Sequence, residues 1–114
     1  MTYPNDYEGM LRSIFSQYGV NAVSYGHSHV YERYYEKGTH YIEAAYLSIT
    51  FGKPDAEPHP SGLLPVVEDN SRRSFMIAKR NKDGIFVTGY YADQEPKAFD
   101  EYQVADENGN AVAP

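Results

Sequence analysis

The chain has 114 residues, of which 41% are hydrophobic, and this length and composition predict one small globular domain. Its formal net charge of −6 argues against a nucleic acid or an anionic membrane surface as a partner, because both bind to basic surfaces. The absence of cysteine excludes disulfides, thiolate metal sites and cysteine nucleophiles. No apolar run approaches the ~18 residues of a membrane-spanning helix, and the first residues lack the pattern of a signal peptide.

The first element predicted along the chain is a helix from about Asp6 to Tyr18. Six apolar side chains recur at the spacing of one helical stripe: Tyr7, Met10, Leu11, Ile14, Phe15 and Tyr18. Asn5 and Glu8 fit a capping box at its start. Gly19 is suited to end the helix, because glycine readily adopts the left-handed conformation found there.

A short buried strand is predicted next, at Val20–Tyr25, and it ends at the polar run Gly26-His27-Ser28-His29. Helix, strand and polar loop is the order of an α/β unit. In open α/β sheets, ligands bind just beyond the carboxyl ends of the strands. This polar run would therefore lie where ligands bind in such sheets.

The remainder of the chain contains four further predicted strands: Thr39–Ser48, Ser74–Arg80, Ile85–Tyr91 and the short edge strand Glu101–Val104. Asn81–Gly84 contains an Asp-Gly step that favours a tight hairpin turn. The proline-rich stretch Phe51–Asn70 is predicted to be a surface loop, and residues 106–114 a flexible tail. The predicted fold class is α/β, with one N-terminal helix and a mixed β-sheet.

His27 and His29 are the candidate metal ligands. Two imidazoles separated by one residue are placed to reach two neighbouring ions, and each is a good neutral ligand at about 2.0–2.1 Å for zinc-like metals. Gly26 would let the backbone approach the ions closely. Taken alone, two histidines in a loop are more often part of a surface without chemistry than a metal site.

The neighbouring residues favour chemistry. The run Gly26, His27, His29, Tyr31, Glu32 and Arg33 resembles the last conserved segment of calcineurin-like metallophosphoesterases, particularly the purple acid phosphatase-like branch. In that family a helix and an apolar strand lead into Gly-His-x-His, followed by x-Tyr-Glu-Arg. The resemblance covers most of the chain, although only this motif is specific, and it implies that residues 1–105 are the C-terminal half of an αββα sandwich.

The same resemblance implies a two-metal centre in which His27 binds one ion and His29 the other. The ions would be Fe, Zn or Mn, in divalent or trivalent states, and the reaction would be metal-dependent hydrolysis of a phosphate ester by a metal-activated water. The family's other ligands come from Asp-x-His, Gly-Asp-x-x-Asp and Gly-Asn-His motifs, none of which occurs in this chain. The chain is therefore expected to be inactive by itself. Either the N-terminal half lies on another chain or was removed, or the chain is a relic without catalysis.

An incomplete domain is expected to have an exposed sheet face. Val23, Tyr41, Phe75 and Phe86 are expected on that face, which would be covered by the missing N-terminal half or by a second copy of the chain. A non-catalytic module that binds a protein partner through this face is the principal alternative to the enzyme.

Several residues near the motif have more than one interpretation. Glu32 would either orient a ligating histidine or pair with Arg33 at the surface. Arg33 would either face the substrate phosphate or form a structural ion pair. His40 is expected to be a core or edge histidine, and a mononuclear metal site using His27, His29 and either His59 or His40 is a third possibility.

Overall fold

The computed structural model describes residues 10–26, 30–43, 66–69, 72–92 and 95–114. These ranges contain one helix, α1, and seven strands: α1 (Met10–Gln17), β1 (Ala22–Tyr25), β2 (Tyr31–Glu36), β3 (Thr39–Glu43), β4 (Val67–Asp69), β5 (Ser74–Asn81), β6 (Gly84–Tyr91) and β7 (Lys97–Asp106). The strands form a four-stranded mixed sheet in the order β1-β3-β2-β4 and a three-stranded antiparallel sheet in the order β5-β6-β7. One helix with a mixed sheet is confirmed, and the domain is mostly sheet.

The helix ends as predicted. Gly19 has a φ of 67°, in the left-handed region. The amide of Val20 donates to the carbonyl of Phe15 and the amide of Gly19 to that of Ser16, the two bonds of a Schellman motif. The predicted start, with its Asn5 and Glu8 cap, lies outside the described residues. Within those residues no helix is long and apolar enough to cross a membrane.

The apolar stripe of α1 is only partly used for packing. Phe15 packs against the cluster of Tyr34 and Tyr41 in the mixed sheet, whereas four side chains of the stripe are more than one-third exposed: Met10, Leu11, Ile14 and Tyr18. The buried helix residue is instead Arg12, whose Nη1 lies 3.2 Å from a carboxylate oxygen of Glu36. The Arg12–Glu36 ion pair, the packing of Phe15 and a hydrogen bond from the Tyr41 hydroxyl to the Arg12 carbonyl therefore connect the described part of the helix to the sheet.

The mixed sheet contains a hairpin that the sequence analysis missed. β2 and β3 are antiparallel neighbours joined at Lys37 and Gly38, which have φ values of 48° and 87°. Positive φ at both positions is typical of the tight turns that connect hairpin strands. β4 lies within the stretch Phe51–Asn70, so the prediction of a loop there is wrong at Val67–Asp69.

The two faces of the mixed sheet pack against different layers. Because side chains alternate along a strand, Tyr34 and Tyr41 face α1, whereas Tyr31 and Ile42 face the antiparallel sheet. The latter pair packs against Met76, Phe99 and Tyr102 of that sheet. The layers therefore follow the order helix, mixed sheet, antiparallel sheet, with one core on each side of the mixed sheet.

The predicted β5–β6 hairpin is confirmed, with a two-residue turn at Lys82 and Asp83. β7 is longer than the predicted edge strand and extends over Lys97–Asp106. Residues 106–114, the predicted flexible tail, turn back onto β7: Ala111 forms a bridge with Ala105, and the Val112 amide donates to the Val104 carbonyl. This return brings Val112 to the inter-sheet core.

The side chains expected on one exposed face lie on two different surfaces. Val23 and Tyr41 pack beneath α1, and Tyr41 is fully buried, so the expectation of exposure is wrong for Tyr41. Phe75 and Phe86 lie on the outer face of the antiparallel sheet, where they are half-buried and Phe75 stacks on Tyr90 with ring centroids 5.3 Å apart. Within the described residues, no layer covers this outer face.

Candidate functional site at the carboxyl end of β1

The histidine motif follows directly from β1. The strand ends at Tyr25, and Gly26 after it is exposed. The next described residues, Val30 and Tyr31, are buried, and Tyr31 begins β2. His27 and His29, the predicted metal ligands, lie outside the described residues. β1 is parallel to β3, so the motif follows a carboxyl end within a parallel strand pair, the position favoured for ligand sites in α/β sheets.

Gly26 is not required by packing among the described residues. A Cβ built at this position would meet nothing within 4 Å. A close approach of the Gly26 backbone to a ligand therefore stays a prediction.

Glu32 is buried beside this strand end and accepts two phenol hydrogen bonds. The Tyr25 hydroxyl donates to Glu32 Oε1 at 2.8 Å, and the Tyr34 hydroxyl donates to Oε2 at 3.1 Å. Burial, followed by the neighbouring Glu32 carboxylate, raises the pKa of Tyr25 far above its usual range, so this phenol remains a donor. The two bonds fix the orientation of Glu32, which is only 6% exposed.

A second buried carboxylate lies opposite the first. Glu43 is 1% exposed and is the register partner of both Glu32 on β2 and Tyr25 on β1. Directly opposed residues of an antiparallel pair have Cβ atoms about 4.5–5.5 Å apart, and like charges at that separation repel each other. Two carboxylates are thus concentrated at the end of β1, on the face that also carries Tyr25 and Tyr34.

Arg33 belongs to the opposite face of the sheet. Its Nε and Nη2 donate to the two carboxylate oxygens of Asp100 on β7, at 3.0 and 2.9 Å, and both side chains are only 5% exposed. The surface pairing of Glu32 with Arg33 is therefore wrong, because neighbouring residues of a strand point to opposite faces. The geometry is that of a bidentate structural ion pair between the two sheets.

Aromatic rings enclose this ion pair. The Tyr31 hydroxyl donates to Asp100 at 2.6 Å, and the Arg33 guanidinium carbon lies 4.0 Å from the centre of the Tyr102 ring. Burial and then the bond to Asp100 raise the pKa of Tyr31, which keeps it protonated as a donor. Tyr31 and Arg33 of the motif thus join the two sheets, and proximity of Arg33 to a substrate stays a prediction.

His40 is a core histidine on the same inter-sheet face. It is fully buried, and its Nε2 lies 2.7 Å from the carbonyl oxygen of Val112, to which it donates in the neutral tautomer. Nδ1 has no hydrogen-bond partner among the described residues. Burial lowers the pKa of His40, so the ring is neutral at pH 7, and its Tyr35 and Tyr102 neighbours pack against it as in an ordinary core.

The described residues alone do not form a metal site. No group of three or more histidine, aspartate or glutamate side chains within them is arranged to hold an ion. Glu32 is held by two phenols on one face of the mixed sheet and His40 is buried on the other. The described donor set therefore does not fit a complete dinuclear centre.

Three residues of the carboxylate cluster at β1 and of the inter-sheet ion pair were not predicted from the sequence: Glu43, Tyr25 and Asp100. The signal for Glu43 was the hairpin register, because a turn at Lys37 and Gly38 sets Glu32 opposite Glu43. No local pattern pointed to Asp100, which is 67 residues from its partner Arg33 along the chain.

No protein-family model, no curated protein and no solved structure matches the chain. The resemblance to metallophosphoesterases therefore depends on the motif residues themselves.

Proposed function

We propose that this chain is the C-terminal portion of a metal-dependent phosphoester hydrolase of the calcineurin-like type, to which it contributes His27 and His29 as metal ligands. The observation that carries the proposal is the run Gly26-His27-Ser28-His29 with Tyr31, Glu32 and Arg33 after it. Its position directly after β1, which is parallel to β3, supports the proposal.

The carboxyl groups at the end of β1 also support the proposed metal site. The buried carboxyl groups of Glu32 and Glu43 lie opposite each other at the strand end from which the motif begins, and a nearby cation would favour their charged forms. Glu32 is positioned by Tyr25 and Tyr34, as expected of a carboxylate that orients a ligating histidine. Bound Fe, Zn or Mn would supply Lewis acidity and a metal-activated water for attack on a phosphate ester.

The finer fold assignment belongs to the same proposal. Helix, mixed sheet and antiparallel sheet correspond to three successive layers of an αββα sandwich. The outer face of the antiparallel sheet, with Phe75, Phe86 and Tyr90 half-buried, would receive the fourth layer. That layer and the remaining ligands would come from the N-terminal half of the complete enzyme, and we expect the chain alone to be inactive.

Metal titration of the 114-residue chain tests the ligand assignment. We expect Zn²⁺ or Mn²⁺ to bind weakly and Co²⁺ to shift the ring NMR signals of His27 and His29. Both effects should be lost in His27→Ala and His29→Ala and retained in the matched control His59→Ala. Metal binding that neither His27→Ala nor His29→Ala changes would contradict the proposal, as would the absence of any binding.

Retention of two tightly held ions by the isolated chain would correct the fragment interpretation, because two histidines cannot saturate two ions that each take about four to six ligands. In that case hydrolysis of a phosphomonoester such as p-nitrophenyl phosphate should be measurable and should depend on His27 and His29. We expect no such hydrolysis without the missing ligands.

A non-catalytic module that binds a partner through its sheet is the alternative function. The observation that favours it is the outer face of the antiparallel sheet, where Ile77 is 41% exposed beside the stacked pair Phe75 and Tyr90. The two functions differ in the metal titration, because a module of this kind does not need His27 or His29.

A further inference from the structure

The outer edge of β5 has the features of an interface. β5 has eight residues, Ser74–Asn81, and is the first strand of its sheet, so that only β6 pairs with it among the described residues. Its second half is exposed, including Ile77 at 41%. An exposed strand edge presents unpaired backbone groups that another strand can join, and residues 77–81 are the exposed part of β5.

The hairpin register shows which backbone groups point outward. Asn81 and Gly84 flank a two-residue turn and therefore form a hydrogen-bonded pair, and such pairs alternate along an antiparallel ladder. The N–H and C=O groups of Met76, Ala78 and Arg80 thus point away from β6. These groups are spaced as required for pairing with a further antiparallel strand.

We propose that β5 pairs in an antiparallel manner with β5 of a second copy of this chain, about a twofold axis at Ile77. This register places Ile77 opposite Ile77 of the second copy, in a non-hydrogen-bonded pair where side chains approach most closely. Met76 and Ala78 then exchange backbone hydrogen bonds across the interface. Each strand contributes its residues 75–79.

The side chains are complementary in this register. On the outer face, Phe75 lies opposite Lys79 of the second copy, which allows a cation–π contact between ammonium and ring. No two like charges are directly opposed, although the strand carries two adjacent cations.

The other sheet edges are less suited to this pairing. β1 and β4 have only four and three residues. The outer edge of β7 is occupied at one end by the returning chain, through the bridge between Ala105 and Ala111. Pairing through β5 would join two three-stranded sheets into one of six strands, with the aromatic outer faces of both copies side by side. This inference does not depend on the metal ligands.

Sedimentation velocity over a concentration series tests the proposal. We expect the wild-type chain to shift from monomer to dimer, and Ile77→Lys to weaken the dimer at least about tenfold, because it opposes two ammonium groups at the axis. Thr88→Lys is the matched control, since Thr88 is the register partner of Ile77 on the central strand β6. It should leave dimerisation nearly unchanged.

Ala78→Pro is a second test that does not alter charge. It removes an outward N–H at the exposed edge, where proline is tolerated, and should weaken the dimer while far-UV circular dichroism confirms that the chain still folds. A wild-type chain that stays monomeric up to about 1 mM would overturn the proposal. A dimer lost in Thr88→Lys but kept in Ile77→Lys would also overturn it, because that result indicates stacking of sheet faces.

Discussion

Removal of the Asp100 carboxylate should be among the most damaging single changes to this domain. Asp100 accepts two hydrogen bonds from Arg33 and one from Tyr31, and the ion pair is 5% exposed on both sides. Asp100→Ala would leave a buried guanidinium without its counter-charge. Breaking a buried pair in this way costs about 3–5 kcal/mol, a large part of the roughly 6–17 kcal/mol expected for the free energy of unfolding of a chain of this length.

Urea unfolding followed by circular dichroism measures this loss, with Asp83→Ala as the control. Asp83 is an exposed carboxylate in the β5–β6 turn, and its removal should change the free energy of unfolding by no more than about 0.5 kcal/mol. The double variant Arg33→Leu/Asp100→Leu completes the test. Replacing both charges by apolar groups removes the uncompensated cation, so it should cost much less than the sum of Arg33→Leu and Asp100→Leu.

Two results would refute this reasoning. A loss below about 1 kcal/mol in Asp100→Ala would mean that the guanidinium reaches water or another acceptor in the variant. Additive losses in the double variant would mean that Arg33 and Asp100 stabilise the fold independently.

Three further outcomes are expected. Burial lowers the pKa of His40 below its ordinary value of 6.5, so the unfolded chain takes up the proton before the folded chain does as the pH falls. The contribution of neutral His40 to the free energy of unfolding is therefore complete above about pH 6.5 and declines below it. In urea unfolding across this range, the free energy of unfolding should decline less steeply in His40→Gln. Gly84→Ala should lower the melting temperature far more than Gly109→Ala, since a Cβ at Gly84 would lie 2.1 Å from the carbonyl oxygen of Ala105 while Gly109 has open space. If His27 and His29 bind metal, Glu32→Gln should weaken zinc binding about 10- to 100-fold in calorimetric titration.

The elements that the sequence predicted well have local signals. The end of α1 depended on Gly19, and the β5–β6 hairpin depended on the turn before Gly84, so each was encoded within a few residues. β2 was missed because its sequence, Tyr-Glu-Arg-Tyr-Tyr-Glu, contains charged residues on both faces of the strand, a pattern that does not predict burial between two layers. Its first four residues are nevertheless buried, because Glu32 accepts hydrogen bonds from Tyr25 and Tyr34 of the same sheet and Arg33 pairs with Asp100 of the antiparallel sheet.

The partners themselves explain the remaining differences. Arg12 is buried on α1 because Glu36 faces it across 24 residues of sequence. The pairing of Arg33 with Asp100 depends on how two sheets stack, and periodicity along one strand contains no information about that stacking. Long-range ion pairs of this kind override the rule that charges belong on the surface, and only the folded chain reveals them.

Neighbouring side chains of β2 point to opposite faces of the sheet, and this divides the motif residues into two groups with different roles. Tyr31 and Arg33 point into the inter-sheet core and bond to Asp100, whereas Glu32, between them, points to the opposite face beside Glu43. Turning the Arg33 guanidinium toward a substrate would break its two bonds to Asp100 in that core. In the proposed enzyme, therefore, Glu32 is the motif residue suited to orient the histidines. Arg33 holds β2, the strand that follows them, on the antiparallel sheet.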